Sequence, residues 1–346
     1  MILCVTLNPC LDKTLTVPPW SPGQSVRGQA VSEVVGGKGN NVARALARLG
    51  RTARPATFFG GPVGEHCARL LRDHEGFDPL VVPSEAPTRT ILTVRTEGSS
   101  RQTAFFDPDP SISPAEAEQL LRGVEAAISL GGVEAITLSG SSPSEATHGL
   151  FLDLISMARM RRLPVFLDTY GPPLETIWGF WPDVIQLNRR ELAQHLHQDD
   201  PDDEEIFARL GTWHRHGVRL AVVTDGPDAA LIQVEGRFFR ALPPEIKAVN
   251  PIGSGDCLLA GLVDSWLNGL EPEPMLRRAM ACAVANALVW DAGQIDPEEV
   301  ARLEPEIELE PVEDVAPAAP TDRSGDSQGF LRVGVYGRAT GKFGKK

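Results

Sequence analysis

Apolar and polar positions along this chain follow two different periods, and the switches between them mark its elements. The opening "MILCVTLN" reads as a short buried strand, and "VVGGKGNNVARALARLG" passes from a glycine-rich loop into a helix. In that helix Val42, Ala45, Leu46 and Leu49 keep helical spacing, and Gly50 ends it. "ARPATFFGGPVGEHCARLLRDHEG" predicts a strand, a turn and a second helix, and "TRTILTVRTEGSSRQTAFF" a pair of strands joined by a Gly-Ser turn. Strand and helix then alternate: "AITLSG", a helix from about Thr147 to Arg161, "PVFLDTY", "DVIQLN", a helix after Arg189, "LAVVTDG", "AALIQV" and a helix after Asp256. This order predicts an α/β fold with a mostly parallel sheet covered by helices, interrupted by a small separate β element in the N-terminal third. No internal repeat is evident.

Composition narrows the function. A chain of 346 residues with 42% hydrophobic content can bury a large core, as one big α/β domain or two smaller ones. No apolar run approaches the ~20 residues of a membrane span, and the N-terminus shows no targeting pattern, so a cytoplasmic protein without membrane contact is expected. The five cysteines Cys4, Cys10, Cys67, Cys257 and Cys282 form no C-x-x-C pair and are read as reduced. A net charge of -13 argues against nucleic acid as the main partner. The run Asp199–Glu205 reads as a solvated loop and helix start. After about Val315 the composition becomes linker-like and then basic, so residues 316–346 are expected to form a flexible tail. Its "GRATGK" fails as a phosphate loop: three residues separate Gly337 from Gly341, and Phe343 stands where Ser or Thr is needed.

Four polar elements fall at or near the ends of predicted strands. In "TLNPCLDKT", Asn8 and Asp12 could accept hydrogen bonds from the hydroxyls of a polyol, or simply stabilise a turn. In "GGKGNN" the glycines Gly37 and Gly39 permit close backbone approach, while Lys38 and Asn41 offer donors. In "LNRRE", Asn188 and Glu191 lie three apart, as oxygen ligands for Mg²⁺ and its waters or as the two ends of a helix cap. In "NPIGSGDCLLAGL" a Gly-Ser-Gly turn runs into an apolar helix, making a corner of bare N–H groups that attracts an anion. Asp256, the carboxylate in that corner, is either a helix cap or a group with a separate task.

As an ordered set these elements resemble the ribokinase-like PfkB carbohydrate kinases, and within them the branch of 1-phosphofructokinase and tagatose-6-phosphate kinase. "TLNPCLD", "GGKGNNVARALARLG", Thr88–Arg89, "SGSSP", "LDTYG", "NRRE" and "VNPIGSGD" carry the resemblance over about residues 1–312. It implies a Rossmann-type three-layer sandwich for about residues 1–315. A small β-sheet lid from about 11–35 and 88–106 would cover the sugar and often serves as a homodimer contact in the family. The implied reaction is ATP-dependent phosphorylation of a ketohexose monophosphate to a 1,6-bisphosphate, with fructose 1-phosphate the leading substrate. Tagatose 6-phosphate or fructose 6-phosphate phosphorylation, and a catalytically weak sensor, are the alternatives. By resemblance Asp256 is the base, and the backbone of Gly253, Ser254, Gly255 and Asp256 forms the anion hole. Asn8, Asp12, Gly37, Gly39, Asn41 and Ser139 would hold the sugar, and Arg27, Lys38 and Arg89 the phosphate already on it. Asn188, Thr224, Gly226 and Asn286 would face the nucleotide, with Mg²⁺ held through water by Glu191 and Asn188.

The chain also departs from the family pattern. Gln186 and Leu187 precede Asn188 where the family usually has lysine and proline, and Asp225 stands before Gly226 where a leucine is common. Arg95 and Arg101 read as solvent-exposed strand charges.

Overall fold

The computed structural model describes residues 1–98, 102–177, 179–313 and 315. The tail expected at 316–346 and Arg101 lie outside these residues. Fourteen strands occur among the described residues: β1 (Ile2–Thr6), β2 (Cys10–Val17), β3 (Ala30–Gly36), β4 (Ala53–Phe59), β5 (Leu80–Pro83), β6 (Arg89–Thr96), β7 (Gln102–Phe106), β8 (Ala135–Ser139), β9 (Val165–Asp168), β10 (Val184–Asn188), β11 (Leu220–Thr224), β12 (Ala230–Val234), β13 (Arg237–Leu242) and β14 (Glu308–Val312). Ten of them form one sheet in the order β14-β13-β12-β11-β10-β9-β8-β1-β4-β5. The stretch from β11 to β5 is parallel. β12, β13 and β14 add antiparallel at one edge. Only the first of those three was expected from the sequence, and as part of the alternation.

The parallel strands are short apolar runs because both of their faces are buried. In β1, Ile2 and Cys4 enter one core layer and Leu3 and Val5 the other, and all four are at most 1% exposed. Helices Lys38–Arg48, Ser254–Leu267 and Pro272–Ala287 supply the first layer, and Pro114–Ser129, Leu150–Met160 and Asp203–Arg215 the second. The acidic run reads as expected, with Asp202 capping Asp203–Arg215 through the Glu205 N–H. The helix expected from about Thr147 to Arg161 is split into Glu145–His148 and Leu150–Met160.

The other four strands form the small sheet, in the order β3-β2-β6-β7. β2 pairs parallel with β6, and antiparallel pairs flank them. Its outer strand β7 is exposed throughout, whereas β6 is half-buried along its whole length. Arg95, read from sequence as a solvent-exposed charge, is instead half-buried, with its guanidinium 4.2 Å from the centre of the Trp290 ring. The partner lies far along the chain, beyond the reach of local pattern.

Strand order reverses around β1, which lies between β8 and β4. In such sheets the connections on either side of this point leave in opposite directions, and a crevice opens beyond the carboxyl ends of the strands. Asn8 follows β1 and Ser139 ends β8, so both belong to that crevice. Gly39 brings the Lys38–Arg48 helix onto the same edge, since a Cβ there would sit 2.4 Å from the Thr6 hydroxyl and 2.7 Å from the Val5 carbonyl oxygen. All five cysteines are buried, and burial pushes the thiols of Cys4, Cys67 and Cys282 up to about 12. That fits the reduced state expected for them.

The layer under the site tests this packing. Phe166 is fully buried, with its ring 5.7 Å from that of Trp266 in an edge-on arrangement. Phe166→Ala is expected to cost about 3–5 kcal/mol, measured as a fall in the urea midpoint at an unchanged m-value.

Candidate active site

The Gly-Ser-Gly turn delivers Asp256 into the crevice by a backbone route that glycine alone accepts. Gly253 has φ 87°, and a Cβ on it would approach Ala292 Cβ to 2.5 Å. The helix begins at Ser254 and Asp256 lies in its first turn, yet its side chain does not cap the helix. It accepts a hydrogen bond from Asn41 Nδ2 at 2.7 Å instead. Of the two readings left open for this carboxylate, the helix cap is not the one realised.

The orientation of Asn41 is itself determined. Its Oδ1 accepts from Arg44 Nη1 at 2.9 Å, which leaves the amide N–H groups to face Asp256. Arg44 is held in turn by two bonds to Glu75, by the Val35 carbonyl at 3.0 Å and by the Ala292 carbonyl at 2.9 Å. No local pattern pointed to this support, because Glu75 and Ala292 come from distant parts of the chain. Burial raises the Asp256 carboxyl to about 7, with the neighbouring charge of Asp168 adding to the effect and Lys38 and the Asn41 bond opposing it. A carboxylate poised near neutrality suits a general base.

Lys38 is the ionic centre of the site. Its Nζ donates to Asp168 Oδ1 at 2.7 Å and to Glu191 Oε1 at 2.9 Å. Burial works against its charge, but Asp168, Glu191 and Asp256 outweigh burial and hold the ammonium protonated. Burial raises Asp168, and Lys38 pulls it back. Lys38 therefore lies on the Glu191 side of the crevice, not against Arg89 with which the sequence grouped it. Asp168, quoted only as part of "LDTYG", is a site residue that sequence reading did not single out. A carboxylate ending a buried strand was the available signal.

Asn188 and Glu191 do form a helix cap. Asn188 Oδ1 accepts from the Glu191 N–H at 2.8 Å, and Glu191 Oε2 accepts from the Asn188 N–H at 3.0 Å. The other Glu191 oxygen faces Lys38, so the cap and the site share one carboxylate. Three carboxylates, Asp168, Glu191 and Asp256, thus surround one ammonium. No group of three or more such side chains among the described residues is placed to hold a metal ion directly, so Mg²⁺ would be met there through water.

On the lid side, Asn8 Nδ2 donates to Asp109 Oδ1 at 2.8 Å and to Ser141 Oγ at 3.0 Å. Arg89 Nη1 reaches the same Asp109 oxygen at 2.9 Å, and Nη2 the Asn8 carbonyl at 3.4 Å. Among the described residues Asn8 Oδ1, Arg89 Nε and Ser139 Oγ are buried without a hydrogen-bond partner. Burying such atoms is costly unless a ligand meets them. Asp12 is raised by its burial, against the pull of the Cys10 thiol bond, Arg44 and Arg89. Gly36 makes room for it, since a Cβ there would fall 2.0 Å from Asp12 Oδ2. Gly37 stands at the head of the Lys38–Arg48 helix. Arg27 stands apart from these groups, on the loop between β2 and β3.

The residues expected to face the nucleotide divide. Thr224 pairs with Asn188 across β11 and β10, and Gly226 turns away just beyond it with φ 58°. Asn286 has both ends of its amide engaged by the turn: Nδ2 donates to the Ile252 carbonyl at 2.9 Å, and Oδ1 accepts from the Gly293 N–H at 2.9 Å. It braces the Gly253–Asp256 turn from beneath. The two departures are also placed. Asp225 lies 2.6 Å from Arg189 Nε, and Arg189 is paired with Asp203, so the unusual carboxylate is neutralised. Gln186 is buried beneath the turn, its Nε2 lying 2.9 Å from where a Gly255 Cβ would be, and its Oε1 has no partner among the described residues.

A buried carboxylate beside a glycine turn at a helix start thus faces the crevice, and the sequence matches one family over most of its length. The pfkB family carbohydrate kinase profile covers residues 5–298. The chain belongs to the PfkB family of carbohydrate kinases. It is accordingly an ATP-dependent sugar kinase. Solved PfkB-type structures share its fold. Phosphofructokinase-2 from Escherichia coli, in complex with fructose-6-phosphate, is 25% identical with a TM-score of 0.77, over 88% of this chain and 98% of that one. A possible 1-phosphofructokinase from Thermotoga maritima is 24% identical with a TM-score of 0.80, over 90% and 100% of the two chains. A ribokinase from Arabidopsis thaliana, complexed with ribose and ATP, is 17% identical with a TM-score of 0.67, over 88% and 98%. The ribokinase-like α/β sandwich with its small separate sheet is therefore the fold of this chain. No helix among the described residues is long and apolar enough to cross a membrane.

A base at this position gives the site a pH signature. Asp256 would act only when ionised, so kcat/KM is expected to fall tenfold per pH unit below about 7 and to level above it. Asp168→Asn removes a charge that raises Asp256, and the acid limb is expected to move to lower pH in a pH–rate profile of that variant.

Proposed function

We propose that this PfkB kinase transfers the γ-phosphoryl group of ATP to a ketohexose monophosphate, giving the 1,6-bisphosphate, with fructose 1-phosphate as its substrate. The observation that carries this reading is the pairing of a buried carboxylate, Asp256, with a cluster by the small sheet in which Asn8 Oδ1, Arg89 Nε and Ser139 Oγ are buried without a hydrogen-bond partner among the described residues. A sugar phosphate supplies both what the base needs, an alcohol, and what the arginine needs, an anion.

In this mechanism Asp256 takes the proton of the acceptor hydroxyl as its oxygen bonds to the γ-phosphorus. The bond from that phosphorus to the bridging oxygen breaks, and ADP leaves with the electron pair. The N–H groups of the Gly253–Asp256 turn, fixed by Asn286 and the Ala292 contact, meet the charge on the phosphoryl oxygens with little reorganisation. Lys38 offers its ammonium on the nucleotide side, and Thr224 and Gly226 border the nucleotide at the end of β11. Glu191, with Asn188, would hold Mg²⁺ through water, and the ion would offset phosphate charge. Asp12 and Asn41 orient the sugar hydroxyls together with the backbone of Gly37 and Gly39, and Asn41 also holds the base. Arg27 would reach the sugar phosphate only through movement of its loop.

The exposed side chains of the lid fit a homodimer contact. Val31 is 55% exposed and Phe105 53%, apolar side chains that share one face of the small sheet on its two edge strands. Phe105→Glu is expected to shift a dimer to monomer in size-exclusion chromatography with light scattering.

Turnover decides the substrate. ATP consumption with Mg²⁺ is compared on fructose 1-phosphate, fructose 6-phosphate, tagatose 6-phosphate and free fructose. Fructose 1-phosphate is expected to give the highest kcat/KM, and Asp256→Asn to lower it by about 10²–10⁴-fold. Arg89→Ala is expected to raise KM for the phosphorylated sugar by about 10- to 100-fold and to leave free fructose unaffected. A folded protein that prefers free fructose would overturn the phosphosugar reading.

A further inference from the structure

The lid and the anion hole are tied together at a point that neither the base nor the sugar cluster requires. Residues two apart on a strand share a face, so Arg89 and Arg95 project from the same side of β6. Asp12 stands opposite Ile91 across the β2–β6 pair, which puts it on that side too. One face of the lid therefore carries the sugar-side groups at its base and Arg95 six residues farther out. There Arg95 crosses to the main body and lies over the indole of Trp290 at 4.2 Å.

Trp290 belongs to the segment that supports the phosphate turn. Its carbonyl accepts from Asn250 Nδ2 at 2.8 Å, and Asn250 Oδ1 accepts from the Ile252 N–H at 3.2 Å, just ahead of Gly253. Two residues on, Ala292 packs against Gly253, and the Gly293 N–H holds the Asn286 amide that braces the same turn. A contact at Trp290 is thus a contact with the frame of the anion hole. We infer that Arg95 and Trp290 are positioning residues, whose stacked contact sets the lid, with Asp12 and Arg89, at a fixed distance from the Gly253–Asp256 turn.

The physical case rests on what the stacking joins. An arginine over an indole face is held by the ring's electrostatic field as well as by dispersion, and such a pair tolerates sliding better than a hydrogen bond does. That suits a joint between two parts that must separate to admit substrate and meet again for transfer. Without the arginine on the indole, nothing in this joint holds the sugar-side groups at a set distance from the turn. Sugar binding then weakens, and water gains access to the phosphoryl group.

The joint itself is tested without any substrate, so its outcome is independent of the sugar proposed above. Hydrogen exchange is measured on the ligand-free protein for wild type, Arg95→Ala, Trp290→Leu and the double variant. Exchange of amides in β6 and β7 is expected to rise by about 2- to 30-fold in each single variant and no further in the double, with exchange in β9 and β10 unchanged. Trp290→Phe, which keeps an aromatic face, is expected to retain most of the protection and guards against a folding defect. In turnover assays with ATP and the preferred sugar, the two single variants are expected to raise the sugar KM by a similar factor. Their kcat should stay within about twofold, and ATP hydrolysis per sugar phosphorylated should increase. Lid exchange unchanged in both single variants, or effects that simply add in the double, would overturn the proposal.

Discussion

A carboxylate shut away from water and held near neutrality governs this structure. Asp256 is 5% exposed and stands in the first turn of a helix, where the dipole favours its ionised form and burial opposes it. The balance is managed by neighbours. Asn41 donates to it, Arg44 keeps Asn41 in the donating orientation, and Glu75 and two carbonyls keep Arg44 in place. This chain of bonds runs from the helix after the glycine loop to the segment behind the phosphate turn. Asp256 and the glycine loop are thereby one hydrogen-bonded assembly.

A second ionic assembly faces it. Lys38 joins Asp168 at the end of β9 to Glu191 at the start of the following helix, and Glu191 is already committed to the cap with Asn188. Two adjacent strand ends and one helix start are thus fixed relative to Asp256 by charge. Arg189, the first residue of that same helix, extends the principle outward by pairing with Asp203 and Asp225. Both departures from the family pattern therefore leave the reacting corner intact: one is paired away from it, and the other replaces a charge with a neutral amide packed beneath it.

The parallel core and the β6–β7 half of the small sheet were legible in the sequence because both rest on local signals, whereas β2 and β3 followed only from the family resemblance. Short apolar runs, helical spacing after glycine loops and an interrupting pair of strands all leave marks within about ten residues. The candidate site residues stood out for a related reason: polar groups at strand ends have no packing purpose. Arg44, Asp168 and the brace formed by Asn286 escaped notice because their partners come from distant elements. Arg95 was misread for that reason, its aromatic partner being supplied by another layer. The antiparallel edge from β12 to β14 was only partly visible, since "IELEPV" alternates weakly and gains its strand character from pairing with β13.

The five buried thiols carry a consequence of a different kind. Cys257 is adjacent in sequence to Asp256 and fully enclosed, with its ionisation driven well above the ordinary range by burial and by the charge of Asp256. A thiol in that state is neither a nucleophile nor a target for oxidants while the helix stays seated. An unprotected cysteine can therefore sit beside Asp256 without adding a reactive group to the crevice. Modification of that cysteine would register the loss of the native fold, not a step in the chemistry.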